Sequence, residues 1–207
     1  MIIVHHLENS RSQRILWLLE ELGLPYTVKR YARCPRTMLA PPELRRVHPL
    51  GKSPVIQDDK LVIAESGAIV EYLVEKAGGR LGAPADQCGT LRYRTFLHYA
   101  EGSLMPPLLA LLVVRRLGLL GRPARKPLLS MFHRHLEWCD AELSGRPYFA
   151  GQELTAADIM MSFPLEAAKQ RAGLTPEYHH LWDWLERIHA RPAYKAALKV
   201  GGKYDFA

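Results

Sequence analysis

The chain predicts an α/β amino-terminal half joined to an all-helical carboxy-terminal half. Three observations predict it. Strand, helix and strand patterns follow one another within the first 31 residues, the size of a parallel βαβ unit. From about residue 85 no convincing strand pattern appears, while apolar residues recur at helical spacing through 91–117, 125–144, 155–172 and 177–190. Between the halves lies "AGGRLGAPAD", residues 77–86, a Gly/Pro stretch that marks a boundary. The expected domains are therefore 1–79 and 86–207.

The elements follow in order. Residues 2–7 (IIVHHL) are β-branched and apolar enough for a buried strand. Ile15, Leu18, Leu19 and Leu22 then form a helical stripe, which Gly23 and Pro25 stop. Tyr26 to Tyr31 alternates like a second strand, and a right-handed crossover is expected between the two. Pro54 to Ile56 and Leu61 to Ala64 read as short strands around the turn "QDDK", and Ser66 to Ala77 as a helix. In the second half, Pro106 and Pro107 are expected to bend or break the first long helix, and Pro164 to kink the third. The stretch "LTAADI" is a helix start in which Thr155 caps, Asp158 closes a capping box and Leu154 is placed to pack on Ile159. Its expected role is structural.

Bulk properties narrow the function. The 207 residues are 48% apolar and 24% charged, ordinary values for a folded chain. A net charge of +7 permits acidic partners, but Lys and Arg are spread along the chain without a dense basic block or aromatic interleaving, so no nucleic acid is expected. Cys34, Cys88 and Cys139 form neither a C-x-x-C pair nor a zinc spacing, and His133 and His135 point to different helix faces, so neither disulfide framework nor metal is expected. The start "MIIVHHL" lacks a signal-peptide pattern and the apolar run Leu108 to Val114 is far short of a span; the expectation is a cytoplasmic chain with no membrane partner.

Three stretches carry chemistry. In "NSRSQR", residues 9–14, Ser10 stands between the first strand and the helix, where the helix N-terminus and a donating hydroxyl favour an anion. Arg11 and Arg14 are cations where the helix dipole disfavours them, which points to acidic partners; the plainer reading is Ser10 or Ser12 as a cap. "GKSPV" is no phosphate loop, because Arg46 stands where its first Gly belongs. Ser53-Pro54 reads either as a cis turn exposing the preceding backbone or as a trans proline opening an edge strand. At "AESGAI" a strand ends and a helix begins. There Ser66 caps beside a solvated Glu65, or Glu65 pairs with an amine while Ser66 and the helix start hold a carboxylate, a combination a γ-glutamyl group presents.

Strand, "NSRSQR" helix, strand, "HPLGKSPVI", "AESGAIVEYL" and a helical half with "LTAADI" together resemble the cytosolic glutathione S-transferases over nearly the whole chain. The resemblance implies a thioredoxin-like amino-terminal domain, an all-helical carboxy-terminal domain, a homodimer, and glutathione as co-substrate without a metal. It implies that Ser10 activates the thiol as in theta-, delta- and zeta-like serine-type classes, with Asn9 or Ser12 as alternatives. Asn9, Arg11, Lys52, Ser53, Glu65 and Ser66 would bind glutathione; Pro54, Arg14, Thr155 and Asp158 would be structural. The break at 99–109, with Tyr99, Met105 and Leu109, is the expected wall for an electrophilic, mostly apolar co-substrate, although most of its apolar residues are expected in the core. No cysteine precedes Cys34 and no tyrosine precedes Tyr26, which argues against cysteine- and tyrosine-type sites. A glutathione-dependent peroxidase or disulfide reductase, and a non-catalytic interaction module, are the alternative functions.

Overall fold

The computed structural model describes residues 1–207. It divides into two compact units, Met1–Gly82 with His189–Asp205, and Ala83–Ile188 with Phe206. The first unit is built on β1 (Ile2–Leu7), β2 (Tyr26–Tyr31), β3 (Val55–Asp58) and β4 (Leu61–Ala64), ordered β2-β1-β3-β4. β1 pairs in parallel with β2, from Ile2 opposite Tyr26 to Leu7 opposite Tyr31, and antiparallel with β3. The expected fold class is the one found. β3 starts one residue after Pro54, since a residue without N–H cannot enter the ladder.

Helix α1 (Ser12–Leu22) is buried along nearly its whole length and ends where Gly23 takes a φ of 61°, its N–H returning to the last turn. Its aliphatic side chains Ile15, Leu16, Leu18 and Leu19 are fully buried, each contributing roughly 1.5–3 kcal/mol. The short helix α2 (Leu44–Val47) and helix α3 (Ser66–Lys76) complete the local chain. One helix lies beyond the segments expected from helical spacing, the last in the chain, which returns to pack on α1. There Arg191 grips Glu21 with Nε at 2.5 Å and Nη2 at 2.8 Å, and the Tyr194 ring stands edge-on to Trp17 at 5.3 Å.

The second unit comprises α4 (Gln87–Tyr99), a π-helical turn (Ala100–Leu104), α5 (Met105–Arg116), a 3₁₀ turn (Gly118–Gly121), α6 (Arg122–Leu143), α7 (Ala156–Arg171) and α8 (His179–Ala190). The returning helix is α9 (Pro192–Gly201). No break occurs: α4, the π turn and α5 run on as one helix, Gln87–Arg116, and the ladder shifts to π spacing just ahead of Pro106 and Pro107, whose missing N–H groups cannot donate to the preceding turn. α7 runs through Pro164 without a break, and its residues Ala156 to Ala168 are all buried. At its start the capping box of Thr155 and Asp158 is present.

Asp158 is fully buried and accepts four hydrogen bonds: Phe149 N–H and Trp184 Nε1–H at 3.0 Å on Oδ1, and Thr155 N–H at 3.0 Å and its hydroxyl at 3.1 Å on Oδ2. Burial still raises its pKa, against the pull of those donors. Asp158→Ala leaves three buried N–H groups without an acceptor and is expected to lower unfolding stability by about 3 kcal/mol or more in a denaturant titration. Gly201 is a close-approach position, since a Cβ there would stand 2.2 Å from Gln13 Oε1. Gly201→Ala is expected to cost about 1–3 kcal/mol by loosening α9 from α1, read in the same titration.

Candidate functional site

Three serines from two distant stretches meet on the peptide groups of Leu7, the last residue of β1. The Ser10 hydroxyl donates to Leu7 O at 2.8 Å, and the Ser12 hydroxyl reaches the same oxygen at 3.3 Å. Leu7 N–H faces Ser12 Oγ at 3.2 Å and Ser53 Oγ at 3.3 Å, while the Ser53 hydroxyl donates to His5 O at 2.8 Å. Ser10 and Ser12 also touch each other at 2.8 Å, and Ser12 bonds His6 Nδ1 at 2.9 Å. Burial pulls His6 down to about 4, so its ring is neutral near pH 7.

This network explains the crowded helix start. Ser12 N–H donates to Ser10 Oγ at 3.2 Å and Gln13 N–H to Ser10 O at 3.1 Å, so Ser10 satisfies two of the orphan donors of α1. Arg11 is the nominal cap, without a capping side chain, and the helix begins at Ser12. The Ser10 side chain is 6% exposed and turned inward, which differs from a hydroxyl aimed at a ligand. Ser12 is wholly buried.

The sheet register brings the other two motifs to the same end. His5 pairs with Val55 and Val55 with Ala64, so the next residues along, Ser53-Pro54 and Glu65-Ser66, lie beside the end of β1. The Ser53–Pro54 peptide bond is cis. Glu65 holds φ 71° and ψ 125°, a conformation that costs a residue with a Cβ about 1–3 kcal/mol. Its side chain is exposed, and its backbone feeds straight into α3, whose N-terminal dipole favours negative charge beside the buried Ser66. A carboxylate in solvent, next to a helix start that attracts one, can take a zwitterion with its amine toward Glu65 and its carboxylate toward α3.

The remaining predicted residues are distributed less evenly. Asn9, with φ 49°, uses its amide on the chain end: Nδ2 donates to Asp205 Oδ2 and Asp205 N–H to Oδ1, both at 2.8 Å. Arg11 is half-buried, Arg14 is buried within α1, and Lys52 is exposed beside Ser53. Thr155 and Asp158 belong to the second unit, as do Tyr99, Met105 and Leu109. Met105 is a core residue and Leu109 is 56% exposed. The Tyr99 hydroxyl bonds His135 Nδ1, and its ring packs on Trp138 at 4.7 Å.

One residue of the site has no signature in the sequence. Arg33 ties the turn after β1 to the turn after β2: Nε donates to Glu8 O at 3.1 Å, Nη2 to Asn9 O at 3.0 Å, and Nη1 to Met38 O at 2.9 Å. Burial, and then the nearby Arg11 charge, lower its pKa against the pull of Glu8. The parallel pairing of Leu7 with Tyr31 is what brings it there, and only the βαβ reading hints at it. Next to it the Cys34 thiol is pulled down by hydrogen bonds from the Thr37 side chain and backbone and the Arg36 backbone.

Comparisons with known proteins bear on this arrangement. The family model "Glutathione S-transferase, N-terminal domain" matches residues 10–76, and "Glutathione S-transferase, C-terminal domain" matches residues 122–187. Glutathione S-transferase 3 of Schizosaccharomyces pombe is 36% identical, covering 95% of this chain and 86% of its own. Glutathione S-transferase 1 of Saccharomyces cerevisiae is 34% identical, covering 95% and 94%. The crystal structure of a glutathione S-transferase from Actinobacillus pleuropneumoniae superposes with a TM-score of 0.89 at 35% identity, covering 100% of this chain and 95% of that one.

The strain at Glu65 yields a test independent of any ligand. Glu65→Gly is expected to raise unfolding stability by about 1 kcal/mol, because glycine adopts φ 71° freely; a loss of stability in a denaturant titration would show that the Glu65 side chain holds the junction together.

Proposed function

The chain belongs to the glutathione S-transferase family, and from that premise we propose that it binds glutathione at the end of its sheet and uses Ser10 to hold the thiol as a thiolate. The observation that carries this reading is the register that sets Ser53, Glu65 and Ser66 beside the end of β1 and the start of α1. The exposed Glu65 carboxylate takes the γ-glutamyl amine, and Ser66 with the α3 N-terminus takes the α-carboxylate. The Ser53 backbone pairs with the cysteinyl part, and Lys52 and Arg11 meet the remaining negative charge.

The thiol then lies toward Ser10. Of the three polar residues at this turn, Ser12 is fully buried and Asn9 is held by Asp205, which supports Ser10 as the donor. Its hydroxyl now donates to Leu7 O, and a short rotation redirects that hydrogen bond to the sulfur, the proton staying on Ser10, while Ser12 remains 3.3 Å from that carbonyl. A thiol titrates near 8.5, and holding it two units lower requires roughly 2.7 kcal/mol. A hydrogen bond to a charged group contributes about 1.5–3 kcal/mol and a helix start about 0.3–1. Ser10 and α1 together therefore suffice without a general base. The thiol proton leaves to water, and the thiolate attacks an electrophilic carbon of an apolar small molecule; the carbon–sulfur bond forms as the carbon's leaving group departs with its bonding pair, halide in the case of an aryl halide. The reading includes a homodimer.

Ser10→Ala is expected to lower kcat toward an aryl halide at least tenfold with KM for glutathione little changed; full activity would move the role to Asn9 or Ser12. Glu65→Gln is expected to weaken retention on immobilised glutathione, and unchanged retention would remove Glu65 from the γ-glutamyl site.

A further inference from the structure

In sequence the cations look scattered, and no membrane is expected; the second unit gathers them. Residues 102–136 contain no Asp or Glu but six cations, Arg115, Arg116, Arg122, Arg125, Lys126 and Arg134. This run folds back on itself through α5, the 3₁₀ turn and α6. α5 is apolar on two faces. Met105, Leu108 and Leu111 face the core, whereas Leu109, Val113 and Leu117, spaced four apart, are 56%, 51% and 53% exposed. The stripe ends at the apex, where Leu119 and Leu120 are 71% and 86% exposed.

The apex is a built turn. Gly118 holds φ 57°, and a Cβ on Gly121 would meet Val114 O at 2.1 Å, so only glycine lets the turn close on α5. On either side stand Arg115, Arg116, Arg122, Arg125 and Lys126, all exposed and none paired with a carboxylate. The groove beside the turn continues the pattern, with Arg115, Arg122 and Arg125 joined by Gln170 and Arg171 of α7 and no acidic residue in its lining.

The chemistry discriminates among occupants. A second copy seated on this patch by a two-fold axis would bring five cations against five, with no carboxylate between. Single-stranded nucleic acid needs stacking platforms, and no aromatic residue occurs in 102–131. Projecting leucines ringed by cations fit the interface of an anionic bilayer, where apolar tips enter the acyl boundary and guanidinium groups meet phosphates. We propose that the α5–α6 hairpin tip docks the protein peripherally on anionic lipid surfaces, with Leu119 and Leu120 inserting and the flanking cations binding headgroups.

The test is co-sedimentation of the full chain with vesicles of phosphatidylcholine alone or with about one third phosphatidylglycerol. Sedimentation with the anionic vesicles only is expected, and release at 1 M salt, where charges are screened beyond about 3 Å. Leu119→Ser with Leu120→Ser, and Arg122→Gln with Arg125→Gln, are each expected to lower partitioning about tenfold or more, with the unfolding midpoint unchanged. The proposal is overturned by no sedimentation, by equal sedimentation with both vesicle types, or by full binding in the leucine variant, which would indicate a general polyanion surface. A concentration-dependent dimer lost in the leucine variant would overturn it too, by assigning the face to a second copy.

Discussion

The site depends on how the backbone of Leu7 is held. At the end of a strand between a parallel and an antiparallel neighbour, the chain must leave the sheet, and its N–H and C=O would otherwise be orphaned. Ser10 and Ser12 from the helix start and Ser53 from the cis-proline turn take up both groups. The two peptide groups flanking Leu7 thereby fix the start of α1 against the turn before β3. Buried hydroxyls satisfied on several sides lose their freedom, and the same bonds that stabilise the fold orient the residue proposed to meet the thiol.

That double duty explains why the surroundings are so heavily tied. Arg33 pins the turn at Glu8 and Asn9, and Asn9 in turn closes on Asp205, so the last residues of the chain return to the edge of the site. α9 accomplishes the return by packing on α1, with Gly201 against Gln13 and Arg191 on Glu21. Stability and site geometry in the first unit are therefore coupled through α1, the helix that carries both. Glu65 shows the opposite economy, a strained residue held where its carboxylate meets solvent beside a helix start.

Much of this was legible in sequence because it is written in local chemistry. The strand at 2–7, the stop at Gly23, the short strands around "QDDK" and the Thr155/Asp158 box follow from periodicity and caps, and each reappears in the structure. The inward turn of Ser10 was not legible, because it depends on Ser12, His6 and Ser53, the last of them 46 residues from Leu7. α9 lies close after α8, and what it packs on is decided by tertiary contact with α1. The basic hairpin tip escaped a reading of charge along the chain because its cations are separated by leucines and become neighbours only when α5 turns back into α6.

The central claim is that a hydroxyl anchored on Leu7 is released to a bound thiolate. It is tested most directly by titrating the ultraviolet absorbance of the thiolate in the complex with glutathione, for the wild-type protein and for Ser10→Ala. The account predicts a bound thiol about two units below its free value in the wild type, and at least half of that shift lost in the variant. An equal shift in both proteins would contradict it and assign the thiolate to the helix start or to another donor.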